Sequence, residues 1–142
     1  MSLLARFTKA KTPGDLWQPV DQAYPSLFDL KAHAAALAGK GGVYALWHLG
    51  VRPQWLHIGA GPSLGACMTG AATALAVSPW RGNGGLYAAW VFMDSTRWPG
   101  IVQGLRFRLA PALQDVAFPE DAVWDPATAP VVFLLPPGTT EQ

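Results

Sequence analysis

Residues 41–61 read GGVYALWHLGVRPQWLHIGAG, and the fold of the chain turns on this stretch. Two apolar runs, Val43 to Leu49 and Trp55 to Ile58, flank the turn-prone Gly50-Val51-Arg52-Pro53-Gln54. Val, Ile, Tyr and Trp suit a pleated, half-buried surface. Gly and Pro supply the backbone angles of a hairpin loop longer than the tightest two-residue type. The stretch therefore predicts an antiparallel β-hairpin.

Downstream of the hairpin, Gly59 to Gly65 (GAGPSLG) reads as a glycine-rich turn into an Ala-rich helix that runs to about Val77. After a loop from Ser78 to Gly85, Leu86 to Met93 is apolar throughout, as expected of a central strand covered on both faces. Ser95 to Gly100 reads as a loop holding Arg97 and Trp98, followed by a helix from about Ile101 to Leu109 that Pro111 ends. Upstream, Pro13, Gly14, Pro19 and Pro25 make residues 1–25 an irregular arm, pinned to the body by Trp17 and Tyr24. Ser26 has the chemistry of an N-cap, and Leu27 to Ala38 is expected as a helix stopped by Gly39. Residues 117–142 form a loop, an edge strand at Val131 to Leu135 and a polar tail. The expected architecture is one α/β domain over residues 1–142. Its core, residues 26–116, is a small mixed or antiparallel sheet opened by a β-hairpin and flanked by helices.

Composition narrows the function. With 142 residues, a hydrophobic fraction of 51 % and seven tryptophans, the chain can bury a sizeable core. Charged residues amount to 13 % and the formal net charge is +1, so there is no strongly basic nucleic-acid footprint. Cys67 is the sole cysteine, which excludes an internal disulfide and fits a reducing, cytoplasmic setting. The N-terminus has no secretory pattern. The uncharged stretch from Ile58 to Trp80 is broken by glycines and prolines and is too short to span a bilayer as one helix, so no membrane partner is expected.

Two triplets in the hairpin carry a resemblance. Gly42-Val43-Tyr44 opens the first strand and His57-Ile58-Gly59 closes the second, with twelve residues between Tyr44 and His57. The pair resembles the GIY-YIG nuclease family, whose domain begins with such a hairpin and carries a tyrosine on each strand into a DNA-cutting site. The order hairpin, helix, strand, helix from Gly42 to Asp115 is similar to that domain over about half of the chain. The family's glutamate, about eight residues before a proline, and its asparagine, three residues after it, fall on Gln103 and Gln114 around Pro111. Its arginine, eight or nine residues past the second triplet, falls on Cys67 or Met68, and no arginine lies between Arg52 and Arg81.

These departures have chemical weight. Phosphodiester hydrolysis of this type uses a divalent cation, which a glutamine amide anchors far less well than a carboxylate. Without the arginine, the group that would hold the phosphate in the transition state is gone. The resemblance then implies a vestigial site of Tyr44, His57, Gln103 and Gln114, no resident metal or cofactor, and a non-enzymatic binding module. Arg81, Arg97, Trp98 and Arg106 are the expected binding residues, for a protein partner by preference and otherwise for nucleic acid. The alternative is a working Mg²⁺- or Mn²⁺-dependent endonuclease with an altered site, in which Asp94 or Arg106 makes good the losses. A third reading takes Gly59 to Gly65 as a nucleotide-binding turn with Asp94 on the ribose. Against it stand the long interval to Asp94, the hairpin before the turn, and the 48 residues left after Asp94.

Overall fold

The structure is a computed structural model and describes residues 16–19, 24–48, 54–75, 85–113, 118, 120–125 and 127–136. Strands β1 (Gly42–His48) and β2 (Gln54–Gly61) form the hairpin, and β3 (Leu86–Phe92) lies on the other side of β1. Both pairings are antiparallel and the order is β2-β1-β3. Alternation along β1 divides the core in two. Tyr44 and Leu46 face one layer with Leu64, Met68, Leu86 and Trp90, while Val43 and Ala45 face another with Ile58, Ile101, Val102 and Leu105. The first layer is closed by helix α2 (Leu64–Leu75) and the second by helix α3 (Trp98–Leu109), after a short helix α1 (Ala34–Leu37). Each fully buried Leu or Ile contributes about 1.5–3 kcal/mol, so the two helical layers rather than the hairpin alone hold the sheet.

A bulge breaks the hairpin register. Leu46 pairs with His57 but Trp47 pairs with Trp55, leaving Leu56 without a partner on β1. One extra residue reverses the side-chain alternation, so Leu56 and His57 both face the Tyr44 layer. The outer edge of β2 is occupied. Trp55 O and Leu56 O accept from Ala112 N and Leu113 N, Ile58 O from Arg106 Nε, and Ala60 O from Ala122 N. On the outer edge of β3, Gln18 exchanges backbone hydrogen bonds with Trp90, and Leu27 N donates to Leu86 O. Covered edges do not offer a template for another strand.

Several expectations change. The run Leu27 to Ala38 is helical only from a 3-10 turn at Lys31–His33 through α1, because the backbone at Pro25 and Leu27 is committed to the edge of β3. Ser26 Oγ accepts from Phe28 N and caps no helix. Leu86–Phe92 is not central; it is apolar because both faces are covered and the N-terminal arm overlies its edge. Gly59 and Gly61 belong to β2, paired with Tyr44 and Gly42, rather than to a turn. Trp98 is no loop residue: it opens α3, buried, with its indole N–H donating to Met93 O. Val131 to Leu135 is not a strand, since Val131 N donates to Gly100 O and the segment lies across α3, where Gly100 and Gly104 leave no room for a Cβ. The hairpin, the antiparallel sheet, the pinning residues Trp17 and Tyr24, and the end of α3 before Pro111 agree with the sequence reading. Among the described residues no helix is long and apolar enough to cross a membrane.

Candidate functional site

The regular pleat brings Tyr44 and His57 side by side on one face, with ring centroids 5.7 Å apart. Both side chains are fully buried. A carboxylate from far along the chain joins them. Tyr44 Oη donates to Asp121 Oδ1 at 2.6 Å, and His57 Nε2 lies 2.9 Å from Asp121 Oδ2. The other ring nitrogen, Nδ1, lies 3.1 Å from Leu113 O. Both neighbours of the imidazole are acceptors, so the ring donates at both nitrogens or shares one of those protons with the carboxylate. The Asp121 side chain is itself only 8 % exposed.

Gly59 makes this approach possible. A Cβ there would stand 2.6 Å from Asp121 Oδ2 and 3.0 Å from His57 Nε2. Gly61 similarly admits Cys67 Sγ and Glu120 O, and the Cys67 thiol donates to Glu120 O at 3.4 Å. Phe118 closes the far side, with its ring centroid 4.5 Å from that of His57. Burial, reinforced by the Asp121 charge and hydrogen bond, holds the Tyr44 phenol well above its usual range, while the Arg106 cation partly offsets this. Burial first, then Asp121, pushes the Cys67 thiol up to about 12. At neutral pH neither group is an anionic nucleophile or base.

Of the residues expected from sequence, Tyr44 and His57 are thus brought together. Gln103 sits half-buried on α3, the helix that covers the opposite face of the sheet. Gln114 and Arg81 lie outside the described residues. Arg106 donates through Nε to Ile58 O at 2.9 Å, and Arg97 lies with its guanidinium 5.9 Å from the Phe133 ring centre. Asp94 caps the 3-10 turn Ser95–Arg97 by accepting from Thr96 N.

Sequence reasoning missed Asp121, which is 64 residues from its partner His57. The acidic pair Glu120-Asp121, in a chain with only nine acidic residues, was the one available signal. It also read Cys67 as a lone thiol and as one of two positions for the missing arginine, and did not place it beside this site, which the thiol borders. Among the described residues no group of three or more His, Cys, Asp and Glu side chains is arranged to hold a metal ion. Compared with family models, curated proteins and solved structures, the chain has no match.

Proposed function

We propose that this chain is a catalytically eroded GIY-YIG-like domain acting as a non-enzymatic binding module for a protein partner. One observation carries the non-enzymatic half. The two residues that the resemblance assigns to DNA cutting, Tyr44 and His57, are fully buried, and their polar atoms are all engaged by Asp121 and Leu113 O. A scissile phosphate and its attacking water have to come within hydrogen-bond reach of such groups. Here that space is filled by Asp121 and Phe118. The protein-partner half draws on the surface. Phe107 is 85 % exposed on α3, three residues beyond Gly104, over which Val131 lies, and Val132 beside it is 78 % exposed. Exposed apolar side chains suit a protein contact better than a polyanion. Trp98, expected at such a contact, is in the core, and Phe107 takes its place in the proposal.

The test is a titration with labelled single-stranded DNA at low and moderate salt, with a cleavage assay in Mg²⁺ and Mn²⁺. Negligible binding at both salts and no cutting of single-stranded, duplex or branched DNA are expected. Cutting that disappears in Tyr44→Phe overturns the non-enzymatic half. Tight, salt-sensitive binding, with a log–log slope of about −0.7 per phosphate contact, overturns the choice of partner.

A further inference from the structure

The contact between Asp121 and the hairpin has the form of a site holding a ligand. Its two donors stand on adjacent strands, Tyr44 on β1 and His57 on β2, while the acceptor arrives on a separate segment. Each carboxylate oxygen has its own donor, at 2.6 Å and 2.9 Å. The donors also have contacts of their own apart from Asp121. Leu113 O orients the His57 ring, the regular pairing of Tyr44 with Gly59 and Leu46 with His57 sets it on the Tyr44 face, and the Arg106 cation acts electrostatically on Tyr44. Two fixed donors beside a positive charge, shielded from water, suit one planar or tetrahedral oxyanion.

The segment that brings Asp121 has further tethers. Ala122 N donates to Ala60 O at 2.8 Å, the Cys67 thiol donates to Glu120 O, and the Phe118 ring packs against His57. Deleting only the carboxylate therefore leaves these holds intact and vacates the space between the donors. Buried donors left without an acceptor destabilise the fold, and an incoming oxyanion relieves that loss.

We infer that the Tyr44–His57 pair is a binding site for a compact oxyanion, carboxylate or phosphate, which Asp121 occupies as the chain's own ligand. This rests on the reading of Tyr44 and His57 as closed off by Asp121. It adds that the closure is competitive: an external oxyanion and Asp121 exclude one another.

The experiment uses the full chain with Asp121→Gly, melted in graded sodium acetate, sodium phosphate and sodium chloride at matched ionic strength. Acetate or phosphate is expected to raise the melting temperature saturably, by about 5 °C or more, with chloride ineffective. Acetate alone acting identifies a carboxylate site; phosphate acting as well identifies a general oxyanion site. The same salts should leave wild type and the double variant Tyr44→Phe/Asp121→Gly without a saturable rise, which separates seat occupancy from general salting effects. If Asp121→Gly does not fold in chloride, refolding from urea in each salt is compared instead, and recovery in an oxyanion alone supports the site. No oxyanion-specific rise or recovery overturns it, as does an equal rise in the double variant. The readout is binding, so its failure leaves the non-enzymatic reading standing, whereas DNA cleavage by wild type would sink that reading first.

Discussion

Gly59→Ala tests the closure of the site most directly, because the substitution adds one methyl group and nothing else. Gly59 does not have a positive φ, so the backbone itself accepts alanine. Elsewhere in a strand the change would gain roughly 0.5–1 kcal/mol through the unfolded chain. Here the new Cβ stands 2.6 Å from Asp121 Oδ2 and 3.0 Å from both His57 Nε2 and Tyr44 Cε1. Oδ2 has to retreat by close to an ångström to reach ordinary contact, and its 2.9 Å hydrogen bond to His57 is lost with it. Overpacking costs about 1–3 kcal/mol. A buried hydrogen bond to a charged group adds about 1.5–3 kcal/mol. After the small chain-entropy gain, the net loss is about 2–5 kcal/mol. At about 3 °C per kcal/mol for a domain of this size, the melting temperature falls by about 6–15 °C. Gly65→Ala serves as the matched control: its Cβ would meet only Leu37 Cβ at 3.7 Å, so it should melt at or slightly above wild type. Both are read by circular dichroism in a single buffer. If Gly59→Ala melts within about 2 °C of wild type, the carboxylate does not sit over β2 as described and the closed-site reasoning fails.

Three further outcomes are expected. Tyr44→Phe removes the donor to Asp121 Oδ1 and should cost about 1.5–3 kcal/mol, seen as a lower urea midpoint at unchanged slope. Because the folded Cys67 thiol titrates at about 12 against an ordinary 9.0, the unfolded chain holds fewer protons above pH 9. Stability complete below pH 9 is therefore lost toward pH 12, with Tyr44 adding to the loss above pH 10, each at up to about 1.4 kcal/mol per pH unit. Urea midpoints across that range check it, and a thiol reagent at pH 8 should label Cys67 only after unfolding. Gln103→Glu should create no cleavage in Mn²⁺, since one carboxylate on α3 supplies neither the absent arginine nor access to Tyr44.

The legible parts of this fold were those written in local pattern. Gly42 to Gly61 alternates around a Gly/Pro turn, and the hairpin followed; its two triplets were enough to pair Tyr44 with His57. What was not legible depends on partners distant in sequence. Leu27 to Ala38 has helical composition, yet its first residues are drawn to the edge of β3. Gly59 and Gly61 look like turn residues, but they are the price of laying residues 120–122 on β2. The bulge at Leu56 has no signature of its own, and it turns Leu56 into the same layer as Tyr44 and His57. Trp98 sits between polar residues and a proline and so reads as loop, whereas Pro99 is well placed in the first turn of a helix.

On the proposed reading, the changed site residue and the covering segment are two sides of one change. A site that hydrolyses a phosphodiester must admit water and stabilise added negative charge, so it keeps an open face and an exposed cation. A site covered by packed chain must do the reverse, because each charge beneath the cover loses its hydration. Cys67 meets that demand: a neutral thiol under Glu120 O is inexpensive to bury, and a guanidinium on the same α2 position would displace that carbonyl and bring an additional charge inside. Asp121 is admitted under the opposite condition, since Tyr44 and His57 pair both of its oxygens. With arginine at residue 67, one of the two positions on which the resemblance puts it, residues 120–122 would have to shift; with Cys67, they lend the carboxylate that Tyr44 and His57 hold. The pair Tyr44 and His57 then persists for a physical reason that requires no catalysis: removing either leaves a buried carboxylate short of a donor.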